Sequence, residues 1–133
     1  MERIEIRTNE RSQLVEITDR LREIVRHSDV TEGMLFVQSL HTTAALTINE
    51  NADPDVETDM ASKMDALVSR KESYYRHAEG NSDSHVKTSL FGPSLGIVVS
   101  GGDLVLGRWQ GVFFCEWDGP RERSVVVQLV RAE

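Results

Sequence analysis

The stretch SLGIVVSGGDLVLGRWQGVFFCEWDGPRERSVVVQLV, Ser94 to Val130, decides the fold. Short apolar and β-branched runs recur along it, each bounded by turn residues. Residues 95–99 predict a strand, Gly101-Gly102 a tight hairpin and residues 104–106 the strand that pairs back. Residues 111–117 predict a longer aromatic strand, Asp118-Gly119-Pro120 a turn, and residues 124–130 the last strand. Upstream, residues 1–8 alternate, with Ile4 and Ile6 on one face and Arg3, Glu5 and Arg7 on the other. Asn9, Glu10 and Arg11 make a turn before a short strand at residues 13–15. Thr18 is placed to cap a helix that carries Leu21, Ile24 and Val25 on one face, with Ile17 as a hydrophobic staple. Gly33 then opens the buried strand MLFVQSL, which delivers His41, and residues 45–48 predict another strand. Asp53-Pro54 starts a second helix, with Val56, Met60, Met64, Leu67 and Val68 at helical spacing to about Arg70 and the methionines as core. Ser82 or Ser84 caps a short helix that ends at Leu90 or Phe91, before Gly92. Strands in series late and two main helices early predict an α+β class with a mostly antiparallel sheet core, in a single domain over residues 1–133.

The composition, 39% hydrophobic and 28% charged, is that of a globular domain. A net charge of -7 argues against general nucleic-acid or anionic-membrane binding, though a local basic pocket remains open. Cys115 is the only cysteine, so no internal disulfide forms; it reads as a small buried hydrophobe in a strand. The charged N-terminus has no apolar core of signal-peptide length, and the expected compartment is the cytoplasm.

Chemistry concentrates in HAEGNSDSHVKTSLFG, residues 77–92, a stretch too polar to serve mainly as core. His77 and His85 bracket a glycine-containing turn, and His41 ends a buried strand. If the loop folds back, three imidazoles meet. Three neutral nitrogens and an open position suit zinc or another borderline divalent ion. Asp83 then supplies a fourth ligand, hydrogen-bonded support for a ligand, or a general base. The competing reading is of surface or hydrogen-bonded histidines. Hydroxyls at Ser82, Ser84, Thr88 and Ser89 and the Lys87 ammonium sit near a helix start, where backbone N–H groups receive phosphates. In GRWQG, Arg108 offers a second anion contact with Trp109 for stacking, or else a β-bulge. Glu50, in the Asn49-Glu50-Asn51 turn, lies close in sequence to His41, while Asp55 and Asp59 read as a solvated acidic face. His27, near a helix end, is explained by the favourable charge position there. No Walker A, GxGxxG, HExxH, paired CxxC or nucleophile-elbow motif is present.

HTTAALTINENADPDVETDM, HAEGNSDSHVKTSLFG and GRWQGVFFCEWDGPRERSVVVQL together resemble the YjbQ family, also called the secondary thiamine-phosphate synthase family. The resemblance runs from His41 to Leu129 in three blocks of matching order and spacing; the first forty residues fit in layout only. It implies a β-sandwich-like core, a homotrimer, and a site near subunit boundaries where histidines cluster and divalent metal binds. It points to His41, His77 and His85 as metal ligands, and the chemistry of three imidazoles favours zinc over magnesium. Asp83, Glu50 and Lys87 take catalytic roles, and Asn49, Asn51, Lys87 and Ser89 bind a phosphorylated small molecule. Arg108 stands at a less constrained position before WQG and inherits no role. The implied activity joins a hydroxymethylpyrimidine diphosphate to a thiazole phosphate and releases pyrophosphate. The rival readings are a metal-assisted hydrolase of a small metabolite and a non-enzymatic trimeric small-molecule-binding protein.

Overall fold

Alternation along the strands builds two antiparallel sheets whose apolar faces meet. In the computed structural model, which describes Met1–Glu133, the elements run β1 (Glu2–Arg7), β2 (Gln13–Glu16), α1 (Thr18–His27), β3 (Gly33–Ser39), β4 (Ala44–Glu50), α2 (Pro54–Leu67), α3 (Ser82–Phe91), β5 (Ser94–Ser100), β6 (Asp103–Leu104), β7 (Gln110–Glu116) and β8 (Glu122–Arg131). One sheet has five strands in the order β1-β8-β3-β5-β6, and the other has three in the order β2-β7-β4. Ile4, Ile6, Leu35, Val37, Ile97, Val99, Val125 and Val127 from the first sheet pack on Ala44, Leu46, Val112 and Phe114 from the second. Leu21 and Val25 of α1 join the same cluster. This is the α+β class that the strand pattern predicts, with the sandwich-like core that the family resemblance implies.

The three-stranded sheet is buried on its other face as well. Ala45, Phe113, Cys115 and Trp117 pack there with Met64 of α2 and partly buried Phe91 of α3. Every residue of β7 after Gln110 is therefore buried. Burial also pushes the Cys115 thiol far above the ordinary range, so it stays a neutral packing group. The outer face of the five-stranded sheet has no such cover. Met34 lies opposite both Val98 and Val130, and Phe36, Val98 and Val130 are exposed.

The element boundaries follow the sequence closely, with informative exceptions. Thr18 does not cap α1. The N-cap is Ile17, whose amide extends the β2–β7 pairing by donating to Val112 O. The Thr18 hydroxyl instead accepts the Val112 amide and donates to Glu16, tying helix to strand. Neither Ser82 nor Ser84 caps α3; Asn81 holds that position, and its side chain donates to Asp118. β6 stops at Leu104 rather than Leu106, and α2 stops at Leu67 rather than Arg70. In α2 only Met64 is buried and Leu67 is exposed, so the predicted methionine stripe reduces to one anchor. The Asp53-Pro54 start holds, with Asp53 Oδ1 accepting the Asp55 amide at 2.9 Å.

A buried ion pair joins the sheets at one end. Arg123 at the start of β8 donates from Nε and Nη2 to the two oxygens of Glu116, at 2.8 and 2.5 Å. Thr8 and the Asp118 amide donate to the same carboxylate, and Arg123 also reaches Thr43. Removing one member strands the other in low dielectric. Glu116→Ala should lower stability by about 3–5 kcal/mol in urea unfolding, and the paired Glu116→Met/Arg123→Met change should recover much of that loss.

Candidate functional site

Helix α3 divides the polar stretch by face. Asp83, Ser84, Lys87 and Thr88 lie at one-turn spacing on the protein side and are buried. His85 and Ser89 fall on the outward side with exposed Val86 and Leu90.

Asp83 is the centre of the buried side. Its Oδ2 accepts Arg11 Nη1 at 3.0 Å and its Oδ1 accepts Arg11 Nη2 at 3.2 Å, a two-pronged pair. Lys87 Nζ donates to Asp83 Oδ2 at 3.3 Å and to Asp65 Oδ1 at 2.6 Å. The same ammonium stands 5.5 Å from the centroid of the Trp117 ring, within cation–π range. Burial pushes the Asp83 carboxyl up, but the Arg11 fork and Lys87 outweigh it and hold the group below the usual carboxylate range. The Asp83 hydrogen bond likewise holds Arg11 more firmly in its protonated form. Ser84 locks the helix in place by donating to Trp117 O at 2.6 Å. A cavity of about 430 Å³ opens beside the pair, lined by Arg11, Ser12, Asp65, Arg70, Asp83 and Lys87. A larger cleft of about 810 Å³ lies between β1, α1 and β8 but takes in none of the candidate residues, only His27, which bonds the Glu23 carbonyl at 2.9 Å.

The other predicted residues lie apart. His77 and His85 meet edge to face, with ring centroids 5.3 Å apart, and Glu79 is 3.8 Å from His77. His41 does not join them within the chain. Its Nε2 accepts the Ser124 amide at 2.8 Å, which places the proton of the neutral ring on Nδ1. Burial, then the Arg123 charge, lower its pKa and favour that neutral form. No three His, Cys, Asp or Glu side chains converge within one chain. The chain alone thus offers two imidazoles, short of a three-ligand zinc centre. Asn49, Glu50 and Asn51 sit at the opposite end of β4 from His41. Asn51 bonds Glu16 and the Trp109 carbonyl there, while α2 carries Asp65 roughly 16 Å further along its axis. Glu50, Asn49 and Asn51 therefore stand outside the Asp83–Lys87 cavity, and Ser89 faces away from it. Arg108 stacks on exposed Trp109 at 4.8 Å.

The family model for UPF0047 protein YjbQ-like matches residues 2–132. The chain belongs to the YjbQ/UPF0047 family. The UPF0047 protein YugU of Bacillus subtilis is 39% identical over 96% of this chain and 96% of its own. The UPF0047 protein MJ1081 of Methanocaldococcus jannaschii is 43% identical over 95% of this chain and 91% of its own. A YjbQ/UPF0047 crystal structure from Clostridium acetobutylicum superposes with a TM-score of 0.95 at 42% identity, covering 98% of this chain and all of that one. The conserved hypothetical protein TT1486 of Thermus thermophilus gives 0.90 at 38% identity, covering 98% of this chain and all of that one. The YjbQ/UPF0047 fold therefore holds along the whole chain, and no helix is long and apolar enough to cross a membrane.

Sequence reading found Asp83 and Lys87 but missed Arg11, Asp65 and Arg70, the groups that complete the cavity. Arg11 lies in a loop 72 residues from Asp83, and nothing local to it marks the pairing. The i,i+4 spacing of Asp83 and Lys87 was the one legible signal.

Because Asp83 is depressed in the folded state, its stabilising contribution is fully present above the unfolded value, about 3.9, and is lost as pH falls through the lower folded value. Asp83→Asn should cost about 3–5 kcal/mol at pH 7, and its difference from wild type should shrink below about pH 4 in acid-unfolding curves.

Proposed function

We propose that this protein is a transferase of the thiamine-phosphate-synthase type. It joins a hydroxymethylpyrimidine diphosphate to a thiazole phosphate at the Arg11–Asp83–Lys87 cavity. The observation that carries this reading is a buried lysine held between two carboxylates at the wall of a cavity that also presents two arginines. Such a cavity suits a phosphorylated small molecule. In the reaction the thiazole nitrogen lone pair forms a bond to the exocyclic methylene of the pyrimidine. The C–O bond to the diphosphate breaks, and pyrophosphate leaves with the electron pair. Lys87, with Arg70 nearby, neutralises the charge that develops on the leaving oxygens. Asp83 positions Lys87 and Arg11 rather than taking a proton.

The proposed assembly is a cytoplasmic homotrimer. The uncovered apolar face around Phe36, Val98 and Val130 supports association. A divalent ion, zinc in preference to magnesium, belongs to the reading on His77 and His85, with the missing ligands supplied across a subunit boundary. No chemical step above depends on it.

Purified protein given both precursors should yield thiamine phosphate and pyrophosphate, resolved by chromatography and mass spectrometry. Lys87→Gln, checked for folding by circular dichroism, should lower the rate about 100-fold or more. No product from wild type under any divalent ion removes the transferase assignment. Light scattering should return three times the 15.0 kDa chain mass, and a monomer overturns the assembly.

A further inference from the structure

The two carboxylates in the cavity are not equivalent. Asp83 is buried and saturated, with both oxygens taken by Arg11 and Lys87. Asp65 is half-exposed, at 53% of its side chain, and rides on α2, which buries only Met64. One Asp65 oxygen, Oδ1, lies between the Lys87 ammonium at 2.6 Å and the Ser12 hydroxyl at 3.2 Å. An oxygen held by an ammonium and a hydroxyl is the environment of a bound oxyanion. A further donor at the cavity is unused: Arg70 makes no ion pair with any carboxylate of the chain.

We infer that Asp65 is a built-in stand-in for the ligand's phosphate, and that a phosphate monoester displaces it from Lys87 and Ser12. This rests on the reading of the cavity as the substrate site and adds the group that competes for it. The charge count supports the exchange. With Asp65 in place, Arg11, Arg70 and Lys87 face Asp65 and Asp83, a surplus of one positive charge. With Asp65 withdrawn the surplus becomes two, which matches the charge of about −1.5 to −2 on a phosphate monoester near pH 7. The donors also outnumber what one carboxylate oxygen can use, and three phosphoryl oxygens can take them. A side chain on a weakly anchored, exposed helix can leave at little structural cost, whereas Asp83 cannot. The cavity therefore selects ligands by a terminal phosphoryl group, and Asp65 sets a threshold that weakly charged anions do not cross.

The test is titration of inorganic phosphate into the full chain by isothermal calorimetry, at fixed pH and ionic strength. It compares wild type, Asp65→Asn, and Asp65→Asn combined with Arg70→Ala. Both changed residues are exposed, so all three proteins should fold, and circular dichroism checks it. Asp65→Asn should bind phosphate about tenfold more tightly than wild type, and adding Arg70→Ala should reverse most of the gain. Acetate should show no comparable gain. Equal or weaker phosphate binding in Asp65→Asn overturns the inference, as does a gain for acetate as large as for phosphate, or a gain that survives Arg70→Ala. The precursor assay reads product rather than binding. Product formation without the Asp65→Asn gain removes only the stand-in, and the gain without product removes only the transferase.

Discussion

The double burial of β7 is the constraint on which the rest of the structure depends. Val112 and Phe114 face the sandwich core, while Phe113, Cys115 and Trp117 face the helical layer. Solvent covers neither side, so the strand must be apolar in nearly every position. Both flanking strands, β2 and β4, take their register from it. The residue beyond its end, Trp117, then lies where α3 crosses: its carbonyl receives Ser84, and its ring faces Lys87 and Phe91. The position of the candidate site is thus a consequence of packing in the middle layer.

Lys87 illustrates what that layer requires. An ammonium beside an indole and almost out of water carries a large desolvation cost unless it is paired. Asp83 offsets it from the same helix and Asp65 from the next. Asp83 in turn needs Arg11, which is held by the contact of the β1–β2 loop with the β7–β8 turn, where the Gly119 amide donates to Arg11 O. Each charge is fixed by another, so the donors are aimed before any ligand arrives. The Glu116–Arg123 pair does the same at the neighbouring turn, where the Asp118 amide also lands on Glu116.

Almost all of the fold was legible in the sequence, and only part of the site was. Strand alternation, the Asp53-Pro54 start and the glycine turns name local conformations, and local conformation is what a sequence states directly. The caps of α1 and α3 were misread because Thr18 found its partner on β7 and Ser84 at Trp117 just beyond the end of that strand. The histidines are brought together only in part within the chain. Nearness of His77 and His85 in the chain did become nearness in space, but His41 was drawn to β8 by the Ser124 amide, a contact 83 residues away. Glu50 and its asparagine neighbours follow His41 closely in sequence, yet a strand lies between them and carries them to its far end. Arg11 reads as an ordinary turn residue until Asp83 is placed opposite it.

The acidity of the chain gives the internal pairing a further meaning. A net charge of -7 does not draw a phosphorylated ligand from a distance, and salt screens what field there is within about 8 Å at physiological strength. Under the proposed function, recognition must then come from short-range donors in a partly dry cavity, where each hydrogen bond to charge is worth more than at the surface. Three unbalanced cations in such a place would be costly in the empty protein. Two carboxylates remove most of that cost, Asp83 from the buried face of α3 and Asp65 from α2, which buries only Met64. On the inference drawn for Asp65, a site built this way stays stable while empty, and its positive surplus rises from one charge to two when that carboxylate yields its place.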